Sequence, residues 1–127
     1  MTDIQLENEG EGAVAATVVL NLNNLALLYA SQGRYEEAEP LYVEALKMYK
    51  RLLGDEHPDV ASSLWNLAAM RYQQEQFAEA EALLLEALPI YQQALGADHS
   101  NTQNLLSWLN AVQTKLSELS AQILADG

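Results

Sequence analysis

Cysteine is absent from the 127 residues, which removes disulfides, a thiol nucleophile and thiolate metal ligation together. Basic residues are scarce: six Lys and Arg stand against eighteen Asp and Glu, for a formal net charge of −12. A chain so poor in cations lacks the clustered positive surface that phosphate backbones demand, so nucleic acid is excluded as the main partner. Long apolar runs are missing as well. The longest, Ala13 to Leu20, is too short to span a bilayer, and the acidic start (Asp3, Glu7, Glu9, Glu11) reverses the basic start of a signal peptide. No HExxH, glycine-rich phosphate loop or GxSxG occurs. The absences together lead to the expectation of a soluble, cytoplasmic, noncatalytic protein without cofactor or metal and without a membrane partner.

What is present is a repeat. Laid over itself, the sequence matches LNNLALLYASQGRYEEAEPLYVEALKMYKRLLGDEH (22–57) to LWNLAAMRYQQEQFAEAEALLLEALPIYQQALGADH (64–99), with 16 of 36 positions identical. A period of this length marks stacked supersecondary units that bury a continuous core between neighbours. Apolar residues recur at helical spacing in each half of the unit, as in Leu22, Leu25, Ala26 and Tyr29, then Ala38, Leu41, Tyr42, Ala45 and Leu46. Each unit is therefore a helical hairpin, and the fold class is all-α. Gly33 closes the first helix, and Gly54 and Gly96 close the second helix of each unit. Pro58, after His57, suits a first helical turn.

The spacing predicts helices over 14–32, 35–53, 58–74, 77–95 and 100–124. Residues 1–12 read as an acidic flexible tail, 13–56 and 57–98 as two hairpins, and 99–127 as the first helix of an unfinished third unit acting as a C-terminal cap. Pro40 and Pro89 fall inside second helices and are expected to bend them or loosen a turn. Ala26, Ala38 and Ala45, with Ala68, Ala80 and Ala87, are small enough for close helix approach. Tyr35 and Phe77 read as wedges at the hairpin turns.

The two histidines, His57 and His99, are the first candidates for chemistry. Their separation equals the repeat period, so both are read as the same turn residue in successive units. Adjacent carboxylates such as Glu36 and Glu37 read as a solvated helix face.

The blocks LNNLALLY (22–29), QGRYEEAEPLYVEAL (32–46) and LGDEHPDVASSLWNLA (53–68) resemble the tetratricopeptide repeat, in the long 42-residue form of kinesin light chains and nephrocystin-like proteins. The resemblance implies a right-handed superhelical stack of antiparallel hairpins, about two and a half units in five helices, whose first helices line a concave groove. It also implies a protein or peptide ligand in that groove, an extended segment or a helix. The groove positions it implies are Asn23, Asn24 and Leu27 in the first unit and Ser62, Trp65, Asn66, Tyr72 and Gln73 in the second. Asn24 and Asn66 stand where family members use asparagine to hold a peptide backbone; the alternative is bonding within the helix stack. For Trp65 the alternative is packing against the first helix of the next unit. The basic clamp of chaperone-binding members is missing, since the matching positions are Asn23, Leu27, Asn66, Asn104 and Trp108. Only Lys115 and Arg71 offer the positive charge that the kinesin light chain groove uses.

The last helix carries a second pattern. Leu105, Leu109, Val112, Leu116, Leu119 and Ile123 step by four and three residues, a seam of the kind that pairs helices. It reads either as self-association into a homodimer or as a cap on the second repeat, the cap accounting for residues up to about Leu116. A self-associating unit or solenoid fragment is thus the alternative to a groove-binding scaffold.

Overall fold

The structure, a computed structural model, describes the backbone of residues 2–126 and the side chains of residues 12–126. Five helices follow one another: α1 (Thr2–Ser31), α2 (Tyr35–Leu53), α3 (Pro58–Gln73), α4 (Phe77–Leu95) and α5 (Ser100–Asp126). Four agree with the periodicity to within two residues. The fifth, α1, begins a dozen residues earlier than expected, so the acid-rich start continues the helix in place of an irregular tail. Glutamate is a good helix former, and carboxylates in the first turns oppose the positive end of the helix dipole.

The chain divides into two compact units, residues 1–55 and 56–127. In the first, α1 packs on α2. Val19, Ala45 and Met48 form a buried cluster with Leu22 and Tyr49 against it. Ala26, Ala38 and Ala45 are fully buried, the small contacts through which two helix backbones approach. In the second unit α3 packs on α4 and α4 on α5. Ala68, Ala80 and Ala87 are again fully buried, beside Leu84 and Tyr91.

The hairpin turns repeat one hydrogen-bond pattern. Arg34 N–H donates to Tyr29 C=O (2.9 Å), and at the matching place in the next unit Gln76 N–H donates to Arg71 C=O (2.8 Å). Each turn needs one residue with positive φ: Gly33 supplies it in the first (76°), Glu75 in the second (62°). Glu75 therefore occupies a left-handed conformation that costs an L-residue about 1 kcal/mol. The histidines close the other junctions. Nδ1 of His57 accepts from Asp59 N–H and Nδ1 of His99 from Asn101 N–H, both at 3.0 Å, so each imidazole caps a helix N-terminus, as the shared repeat position suggested. Pro40 and Pro89 leave α2 and α4 unbroken and sit exposed, where the carbonyl each leaves unbonded can be hydrated.

Segment Gly12–Ser31 corrects the reading of apolar runs. Its 20 residues contain no charge, and an 18-residue window within it averages a hydropathy of 1.6, long and apolar enough by length and composition to cross a membrane. Thr17 and the asparagines at 21, 23 and 24 interrupt its apolarity.

Two substitutions test the turn and cap chemistry in urea or thermal melts. Glu75→Gly is expected to stabilise by about 0.5–1 kcal/mol through release of the positive-φ penalty. His57→Ala is expected to destabilise by about 1 kcal/mol, with His57→Asn close to wild type.

Candidate functional site

On α3, residues Ser62, Trp65, Asn66, Ala69, Tyr72 and Gln73 share one face by helical spacing, and none of them is among the fully covered residues of this helix. The face divides by what each side chain touches. The Ser62 hydroxyl shares a 2.5 Å hydrogen bond with the Tyr91 hydroxyl of α4. Burial pushes the Tyr91 phenol upward, opposed by that same hydrogen bond. Trp65 meets Tyr91 edge-on at 6.1 Å and Trp108 of α5 at 6.3 Å, so it packs against the first helix of the next unit, the alternative left open for it. Tyr72 lies edge-on to both Phe77 (5.2 Å) and Trp108 (5.7 Å). These centroid distances are those of favourable aromatic pairs.

The aromatic residues leave a recess. Tyr72, Ser107, Trp108 and Ala111 line a cavity of about 230 Å³, mostly apolar, large enough for one side chain of a ligand. Sequence reasoning placed Trp108 only among the positions of the missing basic clamp and did not foresee it as a wall of this recess. The signal was available: position 108 is the repeat counterpart of 66 and 24, so a tryptophan stands where the earlier units carry asparagine.

Asn66 is half-buried and Gln73 exposed, and neither has a side-chain hydrogen bond among the described residues. In the first unit Asn24 and Leu27 are exposed on α1, and Asn24 too is unbonded there. Asn23 differs. Its Nδ2 donates to the Tyr49 hydroxyl at 3.4 Å while its Oδ1 is buried with no partner, so this amide belongs to the hairpin interior. Tyr49 and Tyr91 are repeat counterparts. In each unit the tyrosine of the second helix reaches back to a polar group on the first.

The seam on α5 is split. Leu105, Leu109 and Val112 are buried within the chain, so these three are consumed by the fold, and Leu116 is half-buried at their edge. Leu119 (43% exposed) and Ile123 (70%) remain open, with Leu124 beside them. The physical reason is length: α5 has 27 residues against 19 in α4, and its last turns outrun the helix that covers it. Near that end Glu81, Gln113, Leu116 and Ser117 line a shallow trough.

No group of three or more His, Cys, Asp or Glu able to hold a metal occurs among the described residues. The chemistry this surface offers is amide hydrogen bonding, aromatic contact and apolar burial.

Comparison with known proteins agrees with this anatomy. A family model described as a tetratricopeptide repeat matches residues 17–93 and 59–118. Among solved structures, the crystal structure of BtubC (BKLC) from P. vanneervenii is similar, with a TM-score of 0.77 at 25% identity. The match covers 93% of this chain and 48% of that one, so the chain spans about half the length of its structural relative.

The aromatic contacts predict a measurable coupling. Trp108→Ala should destabilise the chain by about 2–4 kcal/mol in urea unfolding, because it opens space beside Trp65 and Tyr72. The fluorescence of the remaining Trp65 should move to the red as water reaches it; unchanged emission would contradict the packing.

Proposed function

The chain belongs to the tetratricopeptide repeat family, and from that premise we propose that it is a noncatalytic scaffold holding a peptide or helix against its first-helix faces. Repeats of this family mediate protein–protein interaction. The observation that carries the finer reading is the recess between Tyr72 and Trp108 in a face that also presents the unbonded amide of Asn66. A recess of this kind takes one apolar or aromatic side chain. An asparagine amide offers a donor and an acceptor at once, which matches a peptide bond. Asn24 and Leu27 supply the same pair of chemistries, amide and apolar, in the first unit.

The ligand so described is extended or helical, with an aromatic or aliphatic anchor. It is not recognised by charge, because the face carries amides where a carboxylate clamp needs Lys and Arg. Chemistry at the face is absent from this reading: it has no nucleophile with an adjacent base, and its histidines are caps.

The test is selection of a random peptide library on the immobilised chain, followed by titration of the best peptide. Asn66→Ala is expected to weaken that peptide at least about tenfold, the loss of a well-placed polar contact. Filling the recess with Ala111→Leu should weaken it similarly. A peptide that binds all three proteins equally would remove the reading.

A second reading is favoured by one observation, the exposure of Leu119, Ile123 and Leu124 beyond the covered part of α5. If the end of α5 pairs with a second copy, light scattering will give twice the 14.0 kDa chain mass, and Leu119→Glu with Ile123→Glu will restore the monomer. A concentration-independent monomer would leave the scaffold reading alone.

A further inference from the structure

Tyr72 and Trp108, the two rings that wall the recess, stand at 66° to each other. Each carries a hydrogen-bond donor, the phenol O–H of Tyr72 and the indole N–H of Trp108, and neither donor has a partner among the described residues. The indole can only donate, so it asks for an acceptor. Asn66 adds an unbonded amide on the same face of α3. The hydroxyl of Ser107, the remaining polar group of the recess, is already committed as a donor to the Gln103 carbonyl (3.2 Å).

Charge is missing in the same place. The chain has a net charge of −12, yet Ser62, Trp65, Asn66, Tyr72 and Gln73 of α3 are all neutral. So are Asn104, Ser107 and Ala111, which share one side of α5 with Trp108 by helical spacing. The first charge on that side of α5 after Trp108 is Lys115, about two turns on. A ligand matched to this surface is uncharged and brings acceptors.

These features discriminate among ligand shapes. An α-helix arrives with its backbone carbonyls bonded within itself, so its main chain offers nothing to the free donors. An irregular extended segment has free carbonyls but brings as many N–H groups, and it loses conformational entropy when it is held straight. A run of prolines has carbonyls and no N–H, carries no charge, and is extended in a polyproline II helix before it binds. Its pyrrolidine rings are apolar and pack on aromatic walls, the mode in which short proline-rich segments are read by aromatic-lined grooves. Because it is preformed, a small number of contacts around a cavity of about 230 Å³ is enough to hold it.

Resting on the scaffold reading of this face, we propose that the Tyr72–Trp108 recess binds a proline-rich segment of a partner protein in the polyproline II conformation. One pyrrolidine ring fills the recess. The Tyr72 phenol and the Trp108 indole donate to carbonyls of the segment, and the Asn66 amide donates to a further one.

The probe is L-decaproline, titrated on the full chain and followed by the fluorescence of its two tryptophans; a decapeptide of alternating Gly and Ser, equally neutral but flexible, is the control. Decaproline should shift the emission and bind at least about tenfold tighter than the control, with an affinity indifferent to salt. Tyr72→Phe removes one unbonded hydroxyl and no packing. It should weaken decaproline about fivefold, the worth of one hydrogen bond, while the urea midpoint stays at the wild-type value. Ala111→Leu, which fills the recess, should abolish binding. The proposal is overturned if decaproline binds no tighter than the control, or if it binds both variants as it binds wild type. A peptide selected from the random library separates this failure from failure of the scaffold reading. If that peptide is sensitive to Ala111→Leu and decaproline neither binds nor displaces it, the scaffold stands and the proline-rich partner is removed; if neither peptide binds, both are removed.

Discussion

The structure depends on six alanines. Ala26, Ala38 and Ala45 in one hairpin and Ala68, Ala80 and Ala87 in the other are all fully buried, and they set how near two helix backbones can come. The larger residues fill what that approach leaves: Val19 and Met48 in the first unit, Leu84 and Tyr91 in the second. A larger side chain at any of the six would push helices apart against a core packed as densely as an organic crystal. The polar contacts from Tyr49 to Asn23 and from Tyr91 to Ser62 exist because the helices already stand at this distance.

The repeat made most of the fold readable. A constant period, small residues at fixed places and glycines at helix ends located four of five helices within two residues. The start of α1 was less readable because acidic, weakly apolar sequence satisfies both a solvated tail and an exposed helix; no periodic core residue decides between them. The recess was less readable for a different reason. Trp65, Tyr72 and Trp108 are far apart along the chain, and only the packing of α5 brings Trp108 to Tyr72. The α5 seam shows a third limit. Its spacing is continuous from Leu105 to Ile123, yet burial changes near Leu116, where the covering helix runs out. Periodicity states which face is apolar and says nothing about how far a neighbour extends.

The repeats are copies that have diverged in what they keep exposed. Position 24 is an exposed asparagine, 66 a half-buried asparagine and 108 a tryptophan walling a cavity. Position 33 is glycine and position 75 a glutamate held at positive φ. Position 26 and position 68 are buried alanines, but 110 is an exposed asparagine, which makes that side of α5 polar. Histidine, by contrast, persists unchanged at both junctions, 57 and 99, in the same capping role.

The prolines were also not copied. Pro40 is near the start of α2, so the amide missing from the helical ladder is the one that would bond the Glu36 carbonyl; Pro89 is just past the middle of α4 and leaves the Leu85 carbonyl without its partner. Two helices that occupy equivalent places therefore lack different rungs, α2 at its start and α4 just past its middle. A single repeat position thereby offers two different places where local opening costs least, the first turns of α2 and the stretch just past the middle of α4.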